Sequence, residues 1–484
     1  MPAGKPTLSK SRLISAWQCP RRLYLEKFRP ELAEITDHME ALFATGHEVG
    51  AVARALYASA ESVEIPFDRK TSRRVETTHA LLESGARIPI FEATFEYDGI
   101  LVRADVLIPD GNSWRLVEVK ASTSVKDYHV LDCAIQEWVL RNAGVPLKTI
   151  VLAHIDNQFV YQGDDNYEGL LVEHDLTDEV VHVDPRVEDL IADARAALAG
   201  SMPVVAVGTH CSKPYDCAFQ GYCWPTDAKY PVAGLGGSKA KLGHYVASGY
   251  RDIRDVPADE ITAETQLRIH RVTCEGAPEI LDGAARLFSA LGYPRYYLDF
   301  ETIGPAIPIW PGTRPYEAIP VQWSCHIDDG SGDGTWATMR HEEFLDLSGR
   351  PPMQALAAQL IECVGKTGPV LMYTNYEEQV IRNLARMFPD LARDLDRIID
   401  RLFDLHPVVK DNYYHPDMLG SWSIKAVLPT INPAMDYDRL EGIREGTAAS
   451  NGFLEAIDPE TDMVRKLELE GQLRRYCRFD TEAM

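Results

Sequence analysis

Hydrophobic and polar positions alternate between residues 88 and 120 in short segments, a pattern typical of β-strands. Asp98-Gly99 interrupts the pattern, and Asp-Gly is a strong signal for a tight turn between two strands. A second break falls at 109–112. The predicted strands are residues 88–91, 93–97, 100–108 and 114–120. The pattern therefore predicts an antiparallel meander in this part of the chain.

Helices are predicted on both sides of the meander. Residues from about 9 to 60 show helical spacing of apolar side chains, as at Leu42, Phe43, Val49 and Val52. Another helix follows the last strand, and Gly144 is its stop signal. The apolar face of that helix consists of Leu131, Ile135, Trp138 and Val139. Because a buried strand is predicted next, at 149–154, the order of elements indicates an α/β fold.

A second α/β unit is predicted from about residue 290. Its predicted strands are 296–302, 319–327 and 370–373, and its predicted helices are 353–365, 376–388 and 467–484. Glycine turns between short helical stretches indicate a structural linker at 225–285, with a helix-hairpin-helix-like DNA contact as the alternative. We therefore predict a first domain at 8–225, a helical linker at 226–288 and a second domain at 289–484.

Composition fits a globular protein with more than one domain. The chain has 484 residues, of which 45% are hydrophobic and 25% are charged. It has no apolar run long enough to span a membrane, and its first residues do not resemble a signal peptide. We therefore expect a cytoplasmic protein without a membrane partner. Since thiols stay reduced in that compartment, the nine cysteines suggest metal ligation for some of them.

The net charge of −24 argues against a general nucleic-acid coat protein, which needs a basic surface. It does not exclude a nuclease, because bound metal ions offset a carboxylate-rich active site. Two local basic segments, 9–12 and 20–22, are candidates for nucleic-acid contact. The alternative for both is ordinary solvated surface.

The first candidate site lies in the meander. Asp105 is on one predicted strand, and Glu118 and Lys120 are on the next. Residues two apart on a strand face the same side, so Glu118 and Lys120 are expected to lie together. Two carboxylates can hold a divalent ion, and a neighbouring lysine can orient water for attack on a phosphodiester. The alternative is a surface salt bridge on an ordinary strand.

Two further segments give this pattern its context. Gln136 lies on the helix after the Glu-x-Lys strand, and an upstream helix carries His47 and Glu48. Together these residues resemble the RecB-like branch of the PD-(D/E)xK nucleases. The resemblance implies a restriction-endonuclease-like fold, with Mg²⁺ or Mn²⁺ held by Asp105 and Glu118 and by His47 or Glu48. The spacing of His47 from Gly46 departs from the pattern of that branch.

Four cysteines bracket this domain. Cys19 stands alone, whereas Cys211, Cys217 and Cys223 follow one another at intervals of six residues. That spacing differs from the Cys-x2-Cys pairs of zinc ribbons, and an all-cysteine iron–sulfur cluster takes four ligands. Structural zinc and free thiols remain alternatives. The remaining cysteines show no such pattern and are expected in the cores: Cys133, Cys274, Cys325, Cys363 and Cys477.

The arrangement of one cysteine before the nuclease motif and three after it resembles CRISPR adaptation nucleases and the AddB subunit of bacterial end-processing complexes. This resemblance implies a 4Fe–4S cluster on Cys19, Cys211, Cys217 and Cys223 that closes the domain. The spacing of the last three departs from the Cys-x2-Cys-x5-Cys of many members.

The second candidate site lies beyond residue 290. Asp299 and Glu301 share one face of a predicted strand, and Tyr476 and Asp480 share one face of the last helix. The order Asp-x-Glu, a middle acid and Tyr-x3-Asp resembles the DEDD exonucleases of the RNase H-like fold. The resemblance implies four carboxylates on two metal ions, with Tyr476 positioning the nucleophile. Glu377 is the expected middle acid, and Glu378 and Asp404 are its alternatives.

The whole chain thus resembles a bacterial group that joins a RecB-like domain with an iron–sulfur cluster to a DEDD-type domain. In such domains the final helix continues beyond Tyr-x3-Asp, so the second domain is expected to be truncated or to have a short last helix. The implied function is a metal-dependent nuclease, with DNA favoured over RNA as the partner. The alternatives are a nucleic-acid-binding scaffold with one or both sites inactive and a zinc-stabilised interaction protein.

Overall fold

The computed structural model describes residues 7–183, 185–332 and 335–484, and its architecture is mixed α/β. The chain forms two compact units. The first contains the residues up to Trp224 together with Pro305–Tyr316. The second contains Pro225–Gly304 and Glu317–Met484. No helix among the described residues is both long enough and apolar enough to cross a membrane.

The first unit is built around a seven-stranded sheet. Its strands are β1 Leu8–Ser9, β2 Val63–Glu64, β3 Ile90–Tyr97, β4 Ile100–Asp110, β5 Ser113–Lys120, β6 Leu147–Ile155 and β7 Leu171–Asp175. Its helices are α1 Lys10–Gln18, α2 Pro20–Phe28, α3 Asp37–Tyr57, α4 Thr71–Glu83, α5 Asp127–Asn142, α6 Thr177–Val183, α7 Pro185–Ala199 and α8 Gln220–Cys223. The predicted meander is therefore confirmed as β3, β4 and β5, which pair antiparallel in that order.

Strand pairing leaves a gap beside the end of β5. Pairing between β4 and β5 runs from Asp110 only as far as Val106 and Val117. The last residues of β5 pair with β6 alone, and the short strand β1 pairs in parallel with the start of β4 at Ile100. Because β4 and β5 diverge at this point, side chains from other elements can reach the end of β5.

The apolar residues whose spacing predicted helix α3 are buried only in its second half. Leu42 and Phe43 are 55% and 63% exposed, whereas Val49 is only 1% exposed. The helix contacts β5 and β4, and the buried residues Val49 and Ala53 both lie in its second half. Apolar spacing predicted the helix correctly, but it does not reveal which part of a helix has a partner surface.

The second unit contains a five-stranded sheet in the order β11-β10-β9-β12-β13. Its strands and one small additional pair are β8 Glu279–Ile280, β9 Arg295–Ile303, β10 Ile319–Asp328, β11 Arg340–Leu345, β12 Val370–Met372, β13 Leu402–Asp404 and β14 Tyr413–Tyr414. Strand β9 lies at the centre, antiparallel to β10 and parallel to β12. The predicted strands of this unit are confirmed at these positions.

Ten helices of the second unit are described. They are α9 Lys239–Ala247, α10 Glu264–Glu275, α11 Gly283–Ala290, α12 Met353–Val364, α13 Tyr376–Met387, α14 Pro389–Ile399, α15 Leu405–Asn412, α16 Ile424–Ile431, α17 Gly446–Ile457 and α18 Met463–Ala483. Helix α18 packs on β9 and β10. Its first turn is capped by Asp462, whose side chain accepts from the amides of Val464 and Arg465.

Two segments group differently from the predicted boundaries. The predicted linker, 226–288, belongs to the second unit, where β8 pairs with β14 and the amide of Leu281 donates to the carbonyl of Asn412. The loop Pro305–Tyr316 belongs to the first unit, because Tyr161 exchanges backbone hydrogen bonds with Gly312 and Thr313. Neither contact has a local sequence signal, since the partners lie more than a hundred residues apart.

Candidate metal-binding and catalytic sites

Glu118, near the end of β5, is the centre of the first candidate site. Its side chain is 2% exposed. One carboxylate oxygen accepts from the Lys120 ammonium at 2.6 Å, and the other accepts from the Gln136 side-chain amide at 2.6 Å. Asp105 accepts from the backbone amide of Val119 at 2.8 Å, at the point where β4 and β5 diverge. The structure thus brings together Asp105, Glu118, Lys120 and Gln136.

Two further residues, Lys10 and Asp132, belong to this site and were not predicted from the sequence. The Lys10 ammonium donates to Glu118 at 2.8 Å and lies 3.3 Å from Asp132, while Lys120 also pairs with Asp132. Lys10 follows β1 directly, so the pairing of β1 with β4 brings it to the gap beside β5. Its sequence context, Ser-Lys-Ser-Arg, matches a solvated surface and gave no signal of burial.

Burial and charge set the protonation of this site. Burial opposes ionisation of Glu118, but Lys10 and Lys120 outweigh burial and lower the pKa of Glu118. Burial and the nearby Glu118 carboxylate raise the pKa of Asp105 to about 7. Glu118 is therefore ionised at neutral pH, whereas Asp105 exchanges its proton near neutrality.

The other predicted ligands of the first unit, His47 and Glu48, have no direct contact with this site among the described residues. His47 and Glu48 are exposed on α3, and in the ranges that the structure describes neither has a hydrogen bond or ion pair with Asp105 or Glu118. Two residues of the predicted basic segments form ion pairs with acids of the same unit. Lys10 faces the carboxylates, and Arg22 pairs with Glu26 at 2.8 Å.

The four predicted cysteines line one cavity. Cys19 directly follows α1, and Cys223 is the last residue of α8. The backbone amide of Cys217 donates to the carbonyl of Cys211 at 2.9 Å. Burial raises the pKa of the Cys19 and Cys217 thiols, and it raises the pKa of Cys223 to about 11. Among the described residues no three of these sulfur atoms lie mutually within 4.8 Å of one another.

Helix α1 connects the cysteine cavity with the carboxylate site. Its last residue, Gln18, donates from its side-chain amide to the carbonyls of His210 and Tyr215, both at 2.8 Å. Its first residue is Lys10. One short helix therefore contacts the three-cysteine segment at one end and Glu118 at the other.

The second candidate site is formed by acids on three elements. Asp299 and Glu301 lie on the central strand β9, Glu377 on the first turn of α13, and Asp480 on α18. Glu301, Glu377 and Asp480 are buried, and Asp299 is partly buried. Each is within electrostatic range of another, because Asp480, Glu301 and Glu377 all raise the pKa of Asp299 in addition to burial.

The structure distinguishes Glu377 from its two alternatives. One side-chain oxygen of Glu377 is buried without a hydrogen-bond partner in the described part of the chain. Glu378 instead pairs with Arg382 on the surface of α13 at 2.7 Å. Asp404 caps α15 by accepting from the amide of His406, and it also accepts from the amide of Thr374.

Three residues near these acids were missed from the sequence. The Tyr437 hydroxyl donates to Asp480. The Lys425 ammonium lies 5.4 Å from the ring centroid of Tyr476 and donates to the carbonyl of Arg444 at 2.7 Å. Cys477, expected to be a core residue, is indeed buried, but its sulfur lies 3.7 Å from the Asp299 carboxylate.

Proton binding is strongly perturbed at these acids. Burial, together with the charges of neighbouring acids, raises the pKa of Asp299 and of Glu301 well above the ordinary range. Burial raises the pKa of Glu377 to about 8 and that of Asp480 to about 6. Such a group binds protons when no cation is present, and a divalent cation can replace them.

Part of the second unit matches a known protein family. Residues 296–423 match the family described as "Domain of unknown function (DUF2779)", a range that includes Asp299, Glu301 and Glu377. None of the curated proteins matches the chain. A solved structure described as "Crystal structure of SSO0001" is 19% identical to this chain, with a TM-score of 0.21. The alignment covers 45% of this chain and 85% of the chain in that structure.

Replacing Lys10 with methionine is expected to destabilise the first unit. The change removes a cation from buried Glu118 and Asp132, and breaking a buried ion pair costs about 3–5 kcal/mol. The measurement is chemical denaturation of the chelated protein, with Arg12→Met on the same helix as the control. We expect added Mn²⁺ to restore part of the loss. Equal losses in both variants would contradict the role of Lys10.

The metal-free protein is expected to lose stability at the second site as pH rises. The folded-state pKa of Asp480 and of Glu377 lies above the value of about 4 in unfolded chains, so the folded protein binds more protons. The stabilisation is complete below about pH 4 and is lost as pH rises through about 6 and then about 8.

Thermal unfolding of the chelated protein across this pH range tests that sign. Glu377→Gln should flatten the pH dependence, and Mn²⁺ should raise the midpoint mainly at the alkaline end. Glu378→Gln, one residue further along α13 and paired with Arg382 at the surface, is the matched control. The same flattening in both variants would contradict the assignment to Glu377.

Proposed function

We propose that this protein is a metal-dependent nuclease that hydrolyses phosphodiester bonds of DNA, with two separate hydrolytic centres. In this proposal the first unit has a PD-(D/E)xK restriction-endonuclease-like fold and the second an RNase H-like fold. The observation that carries it is the group of four acids Asp299, Glu301, Glu377 and Asp480, drawn from three elements to one buried place. Such a group is costly without cations, which favours a role in metal binding.

In the second unit the proposed roles follow from chemistry and position. Bound Mg²⁺ or Mn²⁺ would supply activation of water and stabilisation of the leaving oxygen. Asp299, Glu301, Glu377 and Asp480 would hold the ions, and the partnerless oxygen of Glu377 supports this fit. Tyr437 orients Asp480 through its hydroxyl, and Tyr476, one turn earlier on α18, would position the attacking water.

In the first unit Asp105 and Glu118 are the proposed metal ligands. Lys120 would orient the nucleophilic water, since its ammonium is held by Glu118 and Asp132. Gln136 fixes the second oxygen of Glu118, and its own side-chain oxygen is buried without a hydrogen-bond partner among the described residues. That free acceptor is suited to a metal-bound water. An action on ends or single strands in repair or defence is part of the proposal.

The cysteine cavity is the proposed place of a 4Fe–4S cluster. Four thiols from Cys19, Cys211, Cys217 and Cys223 line it, which is the ligand number of such a cluster. In a tetrahedral zinc site, with Zn–S bonds of about 2.3 Å, the sulfur atoms lie about 3.8 Å apart. The described thiols include no three that are mutually within 4.8 Å, so they are not drawn together as closely as the ligands of a zinc ion, and a cluster is compatible with this arrangement.

One observation favours a second candidate function, a nucleic-acid-binding scaffold whose first site is inactive. Lys10 and Lys120 both neutralise Glu118, so this carboxylate has two internal cations. A site satisfied in this way has less need of a metal ion. In the described part of the second unit, Lys425 is the lysine that acts on Glu301 and Asp480, and it does not pair directly with either carboxylate, so the same reasoning does not extend to this unit.

Two variants are expected to separate the two centres. Lys120→Ala should lower one metal-dependent cleavage activity, and Asp299→Ala another, each by at least about a hundredfold, the loss typical of removing one electrostatic group from an active site. Cleavage of end-labelled single- and double-stranded DNA and RNA with Mg²⁺ or Mn²⁺ measures both. Lys148→Ala and Asp396→Ala are the surface controls. Full cleavage by both single variants would contradict the proposal.

Anaerobic purification is expected to yield a brown protein with about four iron atoms and about four sulfides per chain. Cys19→Ser should lose the iron, because it removes one of the four thiols that line the cavity among the described residues. Cys274→Ser, which changes an exposed thiol of the second unit, should keep it. A colourless protein that contains zinc would contradict the cluster.

A further inference from the structure

Cys477 lies beside the first two acids of the second site, with its sulfur 3.7 Å from the Asp299 carboxylate. We propose that Cys477 is a metal ligand beside Asp299 and Glu301, and that this centre therefore binds a thiophilic divalent ion such as Zn²⁺ or Co²⁺ more tightly than Mg²⁺. The inference rests on the proposed function only in that both need a cation at these acids. It goes beyond that proposal by naming a ligand and a metal preference.

The distances fit a single ion. One ligand atom each from Asp299, Glu301 and Cys477 lies within 4.8 Å of the other two. The Cys477 sulfur is 3.7 Å from the Asp299 carboxylate oxygen. For a tetrahedral zinc ion with bonds of about 2.3 Å to sulfur and about 2.1 Å to oxygen, those two atoms should lie about 3.6 Å apart. Glu301 would be the third protein ligand of this ion, because its ligand atom lies within 4.8 Å of the other two.

Helix α18 explains why the thiol takes this place. Asp480, three residues after Cys477, is turned toward the hydroxyl of Tyr437. Cys477 is instead turned toward β9, where its sulfur contacts both the carboxylate and the backbone carbonyl of Asp299. The thiol is thus an α18 group in direct contact with the strand that carries the first two acids.

An independent observation points to a ligand at the same place. The partnerless oxygen of Glu377 is buried, with the residue 3% exposed, and its charge acts on both Asp299 and Glu301. A bound ion would satisfy that oxygen directly or through a water molecule. Thiolate ligands favour Zn²⁺ and Co²⁺, whereas Mg²⁺ prefers oxygen alone, so Cys477 sets the preference.

Cobalt and zinc binding to the full chain test the inference. Wild-type protein, Cys477→Ser and the control Cys363→Ser are titrated with Co²⁺, and the thiolate-to-cobalt charge-transfer absorption is recorded as a difference from wild type. The other thiols contribute equally to every protein and cancel. We expect Cys477→Ser to lose absorption and to bind Zn²⁺ at least about tenfold more weakly in calorimetry, with Mg²⁺ affinity kept. Cys363→Ser should match wild type.

A second variant covers the case in which Cys477→Ser does not fold. Cys477→Ala also removes the thiol, and alanine suits this buried position because it adds no polar group. Either folded variant should lose the cobalt absorption and bind Zn²⁺ more weakly than wild type. An unchanged cobalt spectrum in a folded Cys477→Ser or Cys477→Ala protein would overturn the inference.

These outcomes separate the inference from the proposed hydrolysis. Cleavage that depends on Asp299, together with no thiolate signal from Cys477, would leave the function and remove the inference. A thiolate signal from Cys477, together with no cleavage that depends on Asp299, would leave the inference and remove hydrolysis at this centre.

Discussion

The buried carboxylate of Glu118 is the interaction on which the first unit depends. A charged group in such a place is costly unless cations and hydrogen bonds surround it. Three elements provide them. Helix α1, far earlier in the chain, supplies Lys10, strand β5 itself supplies Lys120, and the following helix α5 supplies Gln136. The divergence of β4 from β5 and the pairing of β1 with β4 leave the space in which these groups meet.

The buried acids of the second unit are neutralised in a different way from Glu118. Among the described residues, the ammonium of Lys425 acts on Glu301 and Asp480, and it also donates to the carbonyl of Arg444. Burial and mutual repulsion therefore raise the pKa of these acids, and protons neutralise them when no cation is bound. The first unit carries its counter-charge on its own side chains, whereas the second depends on protons or ions from solution.

Local patterns made much of both units predictable. The β3–β5 meander follows from alternation and the Asp98-Gly99 turn, and Glu118 and Lys120 share a face because a strand has a period of two. Lys10 could not be found in this way, since its partner Glu118 lies 108 residues away. The same holds for Tyr437, because nothing near it in sequence indicates a hydrogen bond to Asp480.

Helix α1 shows why the cysteines and the carboxylates of the first unit belong together. Helix α1 has nine residues and is therefore about 13 Å long. Gln18 fixes its end to the segment that holds Cys211, and Cys19 follows at once. The same short helix therefore positions the Gln18 amide at the cysteine segment and the Lys10 ammonium at the carboxylates, so the geometry of the two places depends on how α1 packs.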